Sequence, residues 1–298
     1  METVLITGGS GLIGKHLTLM LLNEGFEVIH LSRKKNSTQG IRVFEWNPEK
    51  NFVDTKALNE ADHIIHLAGA TVAKYWTASY KKKLINSRVK TARLLFDYLS
   101  QNQNKVKSFI SSSAVGYYGN GEDQWLEEQE KPGNDFLSEI CLRWEEGARE
   151  FEDLNKRVAI IRTGIVLARE GGTLPSLNKA LRFGIAPIFG GGNQYYPWIH
   201  IHDVCRIYHF ALSNSSVSGV FNAVAPDPVR FRDLMNSIGE AAGKRKLNFP
   251  VPPLVLKIIL DGFGHSLLNS LRCSSQKIED AGFRFRYPQL KDALRDLL

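Results

Sequence analysis

The segment VLITGGSGLIGKHL, residues 4–17, constrains the chain more than any other. A β-branched, apolar run stops at Gly8 and an amphipathic helical pattern starts near Leu12, with Gly8, Gly11 and Gly14 at the junction. Each glycine meets a need of a strand that turns straight into a helix beside a phosphate. One allows the tight turn, one the close approach of backbone to a pyrophosphate, and one the close packing of helix on strand. Leu12 and Ile13 fall in the first helical turn, where backbone N–H groups have no partner within the helix. The spacing is G-x-x-G-x-x-G. With a strand before it, a helix after it and a second strand ending near residue 31, it completes a βαβ unit of about 30 residues. A dinucleotide-binding turn is expected.

The first half of the chain continues that alternation. The runs TVLIT (3–7), FEVIHL (26–31), IRVFEW (41–46), HIIHLAG (63–69), VKSFISSS (106–113) and RVAIIRTG (157–164) have the near-continuous apolar character of strands buried on both faces. Between most of them lie helical patterns, at 12–24, 80–102 and 136–152. The expected fold class is α/β, a Rossmann-like doubly wound parallel sheet with a smaller, mostly helical C-terminal substrate lobe. Residues 1–165 are assigned to the sheet domain, with a returning segment at about 201–224 that includes the strand GVFNAV and a helix beginning at Asp203. Residues 166–200 and 225–298 are assigned to the second lobe, where FGIAPIFGGGNQYYP and NFPVPP read as loops.

The end of the second strand reads IHLSRKK. An NAD site commonly has an acidic residue there for the ribose 2′-hydroxyl, whereas this chain has Ser32 and Arg33. A guanidinium pairs with a phosphate and a carboxylate would repel it, so the expected cofactor is NADP(H).

Composition narrows the remaining classes. The formal charge of +7 is dispersed, and its one tight run, Lys81–Lys83, lies in a helical pattern, so a solvated helix face is expected and no nucleic-acid partner. The apolar stretch VPPLVLKIIL (251–260) contains a lysine and is too short for a membrane span, so no membrane partner is expected. Cys141, Cys205 and Cys273 lack metal-ligand spacing, so no metal is expected and the thiols are read as buried in a reducing compartment. The first strand begins at once, which leaves no room for a signal peptide, and a cytoplasmic location is expected. The oligomeric state is left open.

Collinear motifs over the whole length resemble a known family. They are TGGSGLIG, HLAGA, SSSAVGYYG, WE at 144–145, RTGIVL, PWIHIHDV, NAVAPDPV and AGFRFRYPQL. The chain is similar to the extended short-chain dehydrogenase/reductases, the NAD-dependent epimerase/dehydratase group. Within it the chain resembles an atypical branch of nucleoside-diphosphate-sugar epimerase-like proteins that carries a C-terminal domain of unknown function. The resemblance implies that Leu67, Ala68 and Gly69 line the cofactor, that Arg88 and Ser112 stand near it, and that Val166 places backbone beside the nicotinamide.

In ordinary members a Ser or Thr works with a Tyr-x-x-x-Lys on the following helix, the lysine tuning the tyrosine towards working pH. Registering Glu145 on the glutamate that follows that lysine by four residues puts Cys141 at the lysine position and Leu137 at the tyrosine. The Tyr287–Lys291 match is interrupted by Pro288 and reads as coincidence. The remaining catalytic candidates are Ser113, Tyr117 or Tyr118 in the following loop, with Tyr117 preferred, or a histidine of PWIHIHDV, where alternation would put His200 and His202 on one side of a short strand. Trp198 and His200 are also assigned to substrate contact. The expected function is an NADP(H)-dependent oxidoreductase or epimerase-like activity on a small polar molecule, with a sugar nucleotide one such substrate. The alternative is a non-catalytic NADP(H)-binding regulatory or sensor protein.

Overall fold

The structure, a computed structural model, describes residues 1–34, 40–182, 184–243 and 247–298. The strands of the first part are β1 (Thr3–Thr7), β2 (Glu27–Ser32), β3 (Arg42–Asn47), β4 (Phe52–Val53), β5 (His63–His66), β6 (Ser108–Ala114), β7 (Trp125–Leu126) and β8 (Arg157–Thr163). Among the described residues they build an eight-stranded sheet in the order Gly219–Ala223, β8, β6, β5, β1, β2, β3, β4. Every pairing in it is parallel except β3 with β4. The order reverses at β1, so the crevice for a ligand lies beyond the carboxyl ends of β1 and its neighbours. β7 stands apart and pairs with Arg272–Cys273.

Helices cover both faces, and strand alternation decides which side chain meets which. Val4 and Ile6 of β1 join Leu17 and Leu21 of α1 (Leu12–Asn23) and Val204 and Ile207 of the helix Ile201–Ser213. On the other face Leu5, Ile64 and Phe109 pack with Leu95 and Leu99 of α3 (Ala78–Gln101), which follows the short α2 (Thr55–Glu60). There the rings of Phe109 and Phe151 stack with centroids 3.7 Å apart, just beyond α4 (Phe136–Arg149). Full burial of each such side chain contributes about 1.5–3 kcal/mol, so both faces of the sheet are strongly specified.

Gly219–Ala223 returns to the sheet edge beside β8, as read from the sequence. The helix before it starts at Ile201 rather than Asp203, because His200 is its N-cap: His200 Nδ1 accepts the backbone N–H of His202 at 3.1 Å. Two stretches read as loops are paired instead, Ile185–Phe189 running parallel to Leu247–Val251. Pro187 and Pro250 gave the appearance of loops, yet a two-stranded ribbon has open edges on which a proline is tolerated. Buried Asp203 accepts the backbone N–H groups of Arg286 and Tyr287 at 2.9 and 2.8 Å. These bonds dock the C-terminal segment on the sheet domain. The last helix, Leu290–Leu297, then places Leu290, Ala293, Leu294 and Leu297 in the same core as α1.

Candidate functional site

The glycine loop is held by contacts that leave no space for side chains. Gly8 has φ +74°, and a Cβ on it would stand 2.9 Å from the carbonyl of Leu67; one on Gly14 would stand 2.5 Å from the Gly8 oxygen. The helix α1 therefore begins directly against the loop, and no side chain caps its N-terminus. Those N–H groups, with the positive end of the helix dipole, make an anion seat.

A cavity of about 460 Å³ opens over this loop. Of the residues singled out in the sequence it is lined by Gly8, Gly11, Ser32, Arg33, Leu67, Ala68 and Gly69. Leu12, Ile13, Gly14, Arg88, Ser112 and Val166 lie outside that lining. Leu12 turns towards Gly171 and Gly172, whose added Cβ atoms would meet it at 3.0 and 3.4 Å. The Val166 oxygen would meet a Cβ on Gly172 at 2.7 Å, and Val166 is paired with Ile199. Ser112 is buried on β6.

Several lining residues were not foreseen. Trp46 and Asn47 form the wall at β3, and Tyr80 and Lys83 the wall at α3. Lys83 was expected on a solvated helix face; its Nζ lies 5.9 Å from the Tyr80 ring centroid, while Lys81 sits over Phe136 at 5.2 Å. His30 lies under the loop, where its ring would be 2.4 Å from a Cβ on Gly9, and its Nε2 is 2.8 Å from Thr18 Oγ1. Burial holds its pKa down at about 4, so the ring is neutral at pH 7 and adds no charge beneath the anion seat.

Arg88 is buried between two walls. Its Nη2 donates to the Ala70 carbonyl at 3.1 Å and its Nη1 to the Leu84 carbonyl at 3.0 Å, while the guanidinium carbon lies 4.7 Å from the Trp144 ring centroid. Nearby, His66 bridges Thr7 Oγ1 at 2.9 Å and Thr91 Oγ1 at 3.2 Å. Burial holds its pKa down at about 3, so this contact is a neutral brace between β1 and α3.

The structure brings Ser113 to a carboxylate. Its hydroxyl donates to Glu145 Oε1 at 2.7 Å, and Glu145 is clasped by Arg162 through Nε at 2.8 Å and Nη2 at 2.9 Å. All three residues are at most 2% exposed. Burial alone would lower the Arg162 pKa, but the bonds and charge of Glu145 outweigh it and raise it. Arg162 Nη1 donates to the Tyr118 hydroxyl at 3.0 Å, and that hydroxyl donates to Asn222 Oδ1 at 2.7 Å. Tyr117 lies against the other side, its ring centroid 3.5 Å from the guanidinium carbon. Ser113 and Tyr117 thus share one buried network, and neither lines the cavity over the glycine loop. Arg162 was the missed member. Of the two arginines in the strand RVAIIRT, Arg162 is fully buried among apolar neighbours and requires a buried acid, and Glu145 was the available partner.

On α4, Leu137 packs against Gly116, where an added Cβ would be 2.7 Å from it. Cys141 is buried, and burial pushes its thiol up to about 12. Trp198 and His200 are placed away from the cavity. Trp198 is buried and donates Nε1–H to the Asp227 carbonyl at 2.9 Å. His200 stacks on Tyr287 with centroids 3.9 Å apart, and its Nε2 lies 3.2 Å from Asp296 Oδ2. Tyr287 in turn donates to Asp296 at 2.9 Å, so the Tyr287–Lys291 match belongs to the docked C-terminal segment. His202 is in the helix after His200 and not on a strand beside it.

The model of the NAD dependent epimerase/dehydratase family matches residues 4–223, and a domain of unknown function, DUF1731, matches residues 251–297. An epimerase family protein of Staphylococcus aureus strain MRSA252 is 34% identical over 301 residues, covering 100% of this chain and 99% of the relative. The crystal structure of human epimerase family protein SDR39U1 (isoform 2) with NADPH superposes with a TM-score of 0.89 at 28% identity, covering 99% of this chain and 98% of that one. A nucleoside-diphosphate sugar epimerase from Corynebacterium glutamicum gives a TM-score of 0.81 at 34% identity, covering 99% of this chain and 58% of that one. Among the described residues no helix is long and apolar enough to cross a membrane, and no cluster of histidine, cysteine or acidic side chains could hold a metal ion.

Removing Glu145 leaves the Arg162 guanidinium buried without its acid. Glu145→Ala is expected to lower the unfolding free energy by about 3–5 kcal/mol in urea titrations. A loss below about 1 kcal/mol would contradict the role given to this pair.

Proposed function

Since this chain belongs to the NAD dependent epimerase/dehydratase family, we propose that it binds NADP(H) in the cavity over the glycine loop and acts as an oxidoreductase or epimerase-like enzyme on a small polar substrate. A sugar nucleotide is the substrate class suggested by the name of the Corynebacterium relative. The observation that carries the reading is that the glycine cradle and Arg33 share one cavity. The pyrophosphate would rest on the backbone of Gly8–Leu12 at the start of α1, with Leu12, Ile13 and Gly14 shaping that turn. The adenosine 2′-phosphate would rest on Ser32 and Arg33, where an NAD site would carry an acid. The human relative solved with NADPH supports this choice. Leu67, Ala68 and Gly69 would wall the middle of the nucleotide, and Ser112 and Val166 would stand behind its nicotinamide end. When bound, the cofactor supplies hydride transfer at its nicotinamide ring.

The chain's own acid–base equipment differs from the usual arrangement. Helix α4, FLSEICLRWEEGAR, contains neither tyrosine nor lysine, and the dyad positions hold Leu137 and buried Cys141. We assign proton transfer to Tyr117, fixed by its stack on Arg162. Ser113 is the neighbouring hydroxyl whose proton is already directed to Glu145. The second reading, a non-catalytic NADP(H)-responsive sensor, is favoured by that engagement of Ser113 and by the apolar surroundings of Leu137 and Cys141.

Two measurements test these assignments. By fluorescence titration the protein should bind NADPH at least about tenfold more tightly than NADH, and Arg33→Asp should abolish the preference. Equal affinities in the unaltered protein would overturn the cofactor choice. With NADPH and a panel of carbonyl compounds and sugar nucleotides, Tyr117→Phe should slow turnover by about 10²-fold or more while NADPH affinity stays within about twofold. An undiminished rate would remove Tyr117 from the mechanism, and an absence of turnover in the unaltered protein would favour the sensor.

A further inference from the structure

Large apolar side chains gather on the outside of the ribbon made by Ile185–Phe189 and Leu247–Val251 and of the helix after it, Pro253–Leu260. Leu247 is 74% exposed, Leu254 67% and Phe249 56%, and Ile185 and Val255 are exposed as well. The pairing explains why several of them face the same way. Ile185 is the register partner of Leu247, and Phe249 follows Leu247 by two residues, so all three lie on one face of the ribbon. The other face is inward, with Ala186 and Ile188 in the core beside Phe231. The exposed series resumes in the first turn of the helix with Leu254 and Val255, whereas Leu256 is buried. One exposed leucine is ordinary, but a contiguous set of this kind marks a surface that meets another surface.

The chain around this face carries one sign of charge. The stretches 171–202 and 241–260, which contain both strands and the helix, hold Lys179, Arg182, Lys244, Arg245, Lys246 and Lys257 and neither aspartate nor glutamate. Lys244, Arg245 and Lys246 directly precede Leu247 in the chain. Lys179 is exposed on the helix Leu174–Arg182, which leads into the ribbon. A second copy of the chain fits this face poorly. Two-fold packing would set the face on itself and oppose like charges. Pairing across the open edge would meet Pro250, which faces that edge because Leu247 and Val251 bond to the other side, and which has no N–H to give. A bilayer with anionic headgroups meets both features. It takes up protruding apolar side chains without a shaped pocket, and its phosphates attract lysine and arginine.

We propose that this ribbon and helix dock the protein peripherally on an anionic lipid surface. Leu247, Phe249 and Leu254 enter the boundary between headgroups and acyl chains, and the cations of the two stretches are drawn to the lipid phosphates. The contact is with the surface only, since a helix of 8 residues is far too short to span. The formal charge of +7 then serves to steer the protein to that surface. None of this depends on the cofactor assigned to the cavity over the glycine loop.

The test is sedimentation of the intact chain with sucrose-loaded vesicles, either of equal parts phosphatidylglycerol and phosphatidylcholine or of phosphatidylcholine alone. Binding to the anionic vesicles should be at least about tenfold tighter and should fall steeply as salt rises from about 0.05 to 0.5 M. Leu247→Gln combined with Phe249→Gln should weaken it by about tenfold or more, and so should Lys244→Gln combined with Lys246→Gln. Equal binding to the two vesicle types, no binding to either, or undiminished binding by both double variants would overturn the proposal. If a variant does not fold, hydrogen exchange on the unaltered protein decides: anionic vesicles should slow the backbone amides of Leu247–Leu256, and unchanged exchange there would overturn the proposal equally. A dimer in sedimentation equilibrium that Phe249→Gln dissolves would assign the face to a second copy and overturn it too.

Discussion

A stretch of backbone stripped of side chains is the constraint on which this molecule depends. Because Gly8 carries no Cβ, the loop can press on the Leu67 carbonyl, and because Gly14 carries none, α1 can start directly on that loop. Those two contacts fix the angle between β1 and α1, which fixes the helix layer made with Ile201–Ser213 and the C-terminal segment docked on it through Asp203. The cavity over the loop is the same contact seen from the solvent side. A scaffold requirement and an anion seat are met by one set of atoms.

Charge is distributed around that seat in an orderly way. His30 beneath the loop is kept neutral by burial, Arg33 stands at one end, and Arg88 is buried at the other without an acid to neutralise it. The fully compensated cation is Arg162, deeper in the sheet, whose charge is met by Glu145. A paired buried ion is a structural group that is costly to disrupt, whereas an unpaired one gains by meeting an anionic or polar ligand. That contrast assigns Arg162 to the framework around Ser113 and Tyr117.

Much of this was legible in the sequence, for definable reasons. Strands buried on both faces announce themselves by continuous β-branched runs, and the limits of β1, β2, β6 and β8 were read to within two residues at each end. The glycine spacing located the cavity, and Ser32, Arg33 and Leu67–Gly69 line it because strand ends in a doubly wound sheet must point there. Long-range pairing was not legible. Nothing local tells that Ser113 donates to a residue 32 positions later, or that Arg162 reaches back 17 positions to the same carboxylate. His200 looked like a strand residue because alternation says nothing about capping; its ring nitrogen ended the strand and began a helix. The ribbon of Ile185–Phe189 and Leu247–Val251 was hidden by prolines that only an open edge accommodates.

The central claim is that the cofactor half of the site is intact while its proton-transfer half has been rebuilt. The most direct test is a crystal structure of the protein with NADPH. The account predicts the pyrophosphate on the Gly8–Leu12 backbone, the 2′-phosphate against Arg33, and the nicotinamide ribose on the β5–β6 side with no lysine beside it. A nucleotide bound in the reverse sense, or outside the glycine loop, would contradict it.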